Sequence, residues 1–104
     1  MLFDQGTPVP LRRALTTQTV STAFEMGWAE LENGQLLDVA EATFDVLITT
    51  DQNLRYQQNL TGRRLAILVV PTASWPVIKI HVAEVVAAVD ELRAGEFREL
   101  SFSG

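Results

Sequence analysis

Short apolar runs alternate with stretches of helical spacing along this chain. "MLFD" reads as a first strand. Thr7-Pro8 then has the form of an N-cap followed by a first-turn proline, opening a helix through "VPLRRAL". "TQTVSTA" is β-branched and predicts a second strand. "FEMGWAELE" reads as a helical turn and then a loop. In "NGQLLDVAEAT", Leu36, Val39, Ala40 and Thr43 recur at i, i+3, i+4 and i+7, so a helix is expected with Asn33 as its cap. "DVLITT" is apolar on both faces, the mark of a central parallel strand.

"DQNLRYQQNL" then opens a helix that Gly62 breaks, and "RRLAILVV" is a fourth strand. "PTASWP" is a loop ending in a Ser74 cap. One long helix, "VIKIHVAEVVAAVDELRAG", is expected to stop at Gly95 as a C′ glycine. "EFRELSF" alternates Leu100 and Phe102 against Glu99 and Ser101, which fits a last edge strand. Strands alternating with helices predict an α/β fold: a three-layer open sheet, mostly parallel, of four to five strands with helices on both faces.

The chain has 104 residues, so a single domain over 1–104 is expected. At 47% hydrophobic it has enough apolar surface for its own core, which excludes a disordered chain. No apolar run approaches the ~20 residues of a membrane span, and no secretory signal opens the chain. With no cysteine, disulfides and thiolate metal sites are excluded, and a cytoplasmic location is expected. The net charge of −5 excludes a general basic surface for nucleic acid. Any such contact falls to Arg12, Arg13, Arg55, Arg63 or Arg64.

Candidate chemistry lies where strands end. In an open parallel sheet the site sits beyond the carboxyl ends of the strands. Asp4 ends the first strand and Asp51 the third, so if those strands are neighbours the two carboxylates converge. Two such acids repel unless a cation lies between them. With oxygen ligands only, that cation would be Mg²⁺ or Mn²⁺, able to activate a water toward a phosphodiester. The bland alternative is that Asp51 caps the helix that follows, while Asp4 serves the turn before Pro8. Glu30 and Glu32, in the irregular stretch after the second strand, are the further candidate ligands. Asp45 lies ~20 Å back along the strand from Asp51, at the wrong end. Asp38 and Glu41 face solvent on this reading. His81, the only histidine, is expected to pack, as are Trp28 and Trp75. There is no phosphate-cradling glycine loop and no G-x-S-x-G elbow.

"LFDQGTPVPLRRAL", "VSTAFEMGW" and "NGQLLDVAEATFDVLITTDQNL" together resemble the small PIN-like proteins of bacteria and archaea, relatives of the VapC-type toxin nucleases. The resemblance covers about residues 2 to 70 and rests on the order and spacing of short motifs. Asp4 matches the first family aspartate, Asp51 the first aspartate of the strand-end motif, and Thr49 or Thr50 its threonine. The resemblance implies Mg²⁺- or Mn²⁺-dependent cleavage of RNA by an activated water, and pairing with a small antitoxin protein. Arg12, Arg13 and Arg55 would then contact phosphate. Three positions depart from the pattern. Asn33 and Asn53 stand where the family has aspartates, and Gln5 replaces the acid after Asp4. An amide oxygen ligates a metal without adding charge, so affinity falls. The alternative is a PIN-like module without catalysis that binds a small protein or forms a homodimer.

Overall fold

The computed structural model describes residues 1–103. Five strands form one all-parallel sheet: β1 (Leu2–Phe3), β2 (Ser21–Thr22), β3 (Val46–Thr49), β4 (Ala66–Val69) and β5 (Phe97–Glu99). Their order is β2-β1-β3-β4-β5. The register sets Leu2 beside both Ser21 and Leu47, Val46 beside Ala66, and Ile67 beside Phe97.

Side chains of a strand alternate between faces, and the core divides accordingly. Leu2, Leu47, Ile67 and Val69 pack with Leu36, Leu37 and Ala40 of helix α1 (Asn33–Thr43) and with Leu54 of the single-turn helix α2 (Leu54–Gln57). Phe3, Ile48, Leu68 and Val70 pack on the other face. They meet Leu11 of a 3-10 helix (Val9–Ala14), Ile78 of α3 (Trp75–Ile80), and Val85, Ala88 and Val89 of α4 (Val82–Glu91). The three-layer α/β architecture expected from the chain pattern is therefore present. No helix among the described residues is long and apolar enough to cross a membrane.

Several local expectations are corrected. The segment after Pro8 is a 3-10 helix, and Thr7 does not cap it, because its hydroxyl turns inward to Asp4 and to the Ile48 carbonyl. Asn33 is the first residue of α1, not its cap. Glu32 holds that place, and its N–H donates to Gln35 Oε1 at 3.2 Å. In α1 it is Leu37, rather than Val39 or Thr43, that is buried beside Leu36 and Ala40. The helix after Asp51 is over at Gln57, well before Gly62.

The expected long helix breaks at His81, which closes α3 and precedes α4. Val77, Ile78, Ile80 and Val82 are β-branched, so helix propensity is low there. The His81 ring holds the break: Nδ1 lies 2.6 Å from Glu84 Oε2, and the ring stacks on Phe102 at 4.5 Å. Gly95 is not a helix terminator, since α4 closes at Leu92 in extended conformation. Its φ of +76° belongs to the turn in which the Glu96 N–H donates to the Arg93 carbonyl.

Candidate functional site at the carboxyl edge of the sheet

The chain passes from β1 outward to β2 and returns to β3 on the opposite side of β1. The β1/β3 boundary is thus the point where strand order reverses, the usual place for a ligand crevice. Asp4 follows β1 directly, and Asp51 lies two residues beyond β3.

Asp4 is held between two threonines. Its Oδ1 accepts from Thr7 Oγ1 at 2.5 Å and its Oδ2 from Thr49 Oγ1 at 2.5 Å. Burial raises the Asp4 carboxyl above its usual range. The two hydroxyl bonds oppose that rise, and the nearby Asp51 charge adds to it. Thr49 links the two acids, because its hydroxyl also accepts from the Asp51 N–H at 3.0 Å. Asp51 Oδ1 accepts from the Asn53 N–H at 2.9 Å, a turn bond just ahead of α2; Asn53, not Asp51, is the N-cap of that helix, which corrects the expectation that Asp51 caps it. Its Oδ2 accepts from Asn33 Nδ2 at 2.7 Å, and the same amide reaches Gln57 Oε1 at 3.1 Å. The start of α1 is thereby tied to the end of β3. Among the described residues, no Lys, Arg or His side chain forms an ion pair with Asp4 or Asp51.

Both strand-end aspartates therefore reach one neighbourhood, and Asn33 stands with them. Glu30 and Glu32 do not join. Glu30 is exposed and Glu32 is the N-cap of α1. Among the described residues no three His, Cys, Asp or Glu side chains gather closely enough to share a metal ion. Thr50 is partly exposed, and its Oγ1 would lie 2.9 Å from a Cβ placed on Gly6. The β1 and β3 loops thus touch at a position where a side chain at Gly6 would force Thr50 to shift.

The arginines are mostly engaged with acids. Arg12 forms a two-point pair with Glu25, at 2.8 and 3.2 Å. Arg55 donates to Glu99 at 2.9 Å and stacks over the exposed Tyr56 ring. Arg63 bridges Asp38 (3.0 Å) and Glu41 (3.5 Å); Asp38 faces solvent as expected, whereas Glu41 is partly buried. Arg13 is exposed. An open cleft of about 340 Å³ lies beside Asp4, lined among others by Gln5, Val9, Arg12, Phe24 and Glu25. Phe24 is a site feature the chain pattern did not single out. Its position two residues past the end of β2, in a parallel sheet, was the available signal.

No protein-family model matches this chain, no curated protein does, and no solved structure does.

Proposed function

We propose that this chain is a PIN-like, Mg²⁺- or Mn²⁺-dependent ribonuclease, of the kind that serves as the toxin of a toxin–antitoxin pair. The observation that carries the reading is the pairing of Asp4 and Asp51 at the strand-order reversal with no cationic side chain between them. A mostly buried carboxylate near a second one is costly unless a cation compensates. A divalent ion with several waters needs only one or two carboxylates, completed by substrate phosphate. Asp4 and Asp51 would hold the ion, the Asn33 amide would orient Asp51, and the ion would supply an acidified water for attack on a phosphodiester. Thr49 and Thr7 fix the Asp4 carboxylate in place. The test is cleavage of a labelled RNA in Mn²⁺, with Asp4→Ala as control. Cleavage by the wild type that the control and EDTA abolish supports the reading, whereas equal cleavage by the control removes it.

A second reading has its own support. Every carboxylate oxygen of the pair already accepts a protein hydrogen bond, and an amide stands at Asn33. A module that keeps the fold and binds a small protein partner or a second copy would use the same residues for structure alone. Ile80 of α3, 79% exposed, offers such a partner an apolar contact. Titration with Mn²⁺ separates the two, since only the nuclease needs the ion.

A further inference from the structure

Phe24 is 75% exposed although it lies between the buried Ala23 and the packed Met26. Its exposure is built into the turn after β2. The Thr22 N–H donates to Glu25 Oε1 at 3.0 Å, and the Glu25 N–H donates back to Thr22 Oγ1 at 3.1 Å. The Met26 N–H bonds the Thr22 carbonyl, the Gly27 N–H that of Phe24, and the Trp28 N–H that of Ala23. Gly27, at φ +78°, closes the turn in a conformation a side chain would strain. Arg12 clamps Glu25 from the 3-10 helix. The ring is thus held outward by a hydrogen-bonded frame.

It stands in the cleft beside Asp4, with Val9, itself 55% exposed, on the same lining. The charges of this cleft select its occupant. Arg12, the cation expected for phosphate, is spent on Glu25, and Asp4 adds a carboxylate to the wall. An anionic group is therefore disfavoured there. A neutral, planar, aromatic group bearing N–H donors suits the cleft: its face would lie on Phe24 and its edge toward Asp4 and the exposed Gln5.

We infer that Phe24 is the stacking platform of a nucleobase subsite beside Asp4, taking one base of the RNA whose phosphate lies over the two aspartates. This deepens the nuclease reading and rests on it for the phosphate, but not for the base.

The experiment is a fluorescence-anisotropy titration in EDTA, at a salt concentration that screens the chain's net charge of −5, with a labelled oligoadenylate and a strand of equal length lacking bases. The wild type should bind the oligoadenylate. Phe24→Ala should weaken that binding about tenfold, and Phe24→Tyr should leave it within about twofold. The strand without bases should not distinguish wild type from Phe24→Ala. Equal oligoadenylate affinity in wild type and Phe24→Ala overturns the subsite, as does a wild type that binds both strands alike or neither. Phe24 is exposed, so loss of fold does not confuse the comparison. A Mn²⁺ response without base-dependent binding removes the subsite and leaves the metal centre. Base-dependent binding without a Mn²⁺ response does the reverse.

Discussion

Thr49 donates its hydroxyl to Asp4 at 2.5 Å across the β1/β3 boundary. The same oxygen accepts from the Asp51 N–H, so one small side chain organises both acids. Thr49→Val keeps the shape and removes both bonds. A mostly buried carboxylate then loses a donor and a main-chain N–H loses its acceptor, which costs about 1–3 kcal/mol. Urea denaturation should show that loss, with a melting point several degrees lower. An unchanged midpoint would mean that the bridge holds nothing in place.

Asp4 also sets a pH dependence. Burial holds its carboxyl above the ordinary range, so the folded chain keeps that proton to higher pH than the unfolded chain does. Where the folded state binds more protons, stability falls as pH rises. Asp4's contribution is therefore fully present below the ordinary value of the unfolded chain, 3.8, and is lost as pH rises through the folded value. Asp4→Asn does not titrate. In EDTA, the stability of wild type relative to Asp4→Asn should decline from acid pH and then level off. A wild type that gains on the variant as pH rises contradicts this.

Asn33 is the next lever. Its amide donates to Asp51 at 2.7 Å, where an acid would place two carboxylates in contact. Asn33→Asp should destabilise the metal-free protein by about 1–3 kcal/mol. Millimolar Mn²⁺ should recover that loss and bind more tightly than in wild type. Thermal melts with and without Mn²⁺ check both halves. A variant as stable as wild type in EDTA would show that the introduced carboxylate turns away from the site.

Gly6 tests how closely the two loops meet. A Cβ there would stand 2.9 Å from Thr50 Oγ1, too near for a real contact. Gly6→Ala should lower the melting point, and Thr50→Ala in the same chain should restore most of it. Failure of the second substitution to rescue the first would place the strain elsewhere.

Much of this architecture was legible beforehand. Val46–Thr49 and Ala66–Val69 are apolar on both faces, and only a central parallel strand buries both. Parallel strands imply that Asp4 and Asp51 lie toward one edge of the sheet, but that β1 and β3 are neighbours, the condition for the two acids to converge, comes from the strand order. What escaped depends on contacts between segments far apart in the chain. Asn33 resembles a cap by position, but it is drawn to Asp51, 18 residues on. Thr7 before Pro8 also looks like a cap, yet the mostly buried Asp4 is the stronger claimant on its hydroxyl. His81 sits in a helical pattern that its own ring interrupts through Glu84 and Phe102. Glu30 and Glu32 were candidates because irregular segments can reach a site; the start of α1 uses Glu32 and leaves Glu30 in solvent.

The central claim is that Asp4 and Asp51 share one divalent ion, and calorimetric titration with Mn²⁺ tests it most directly. The wild type should bind one ion per chain. Asp51→Asn, which keeps an acceptor for the Asn53 N–H but loses the charge, should fold and bind at least about tenfold more weakly. Mn²⁺ binding by Asp51→Asn that equals the wild type, or no binding by the wild type, would contradict the account.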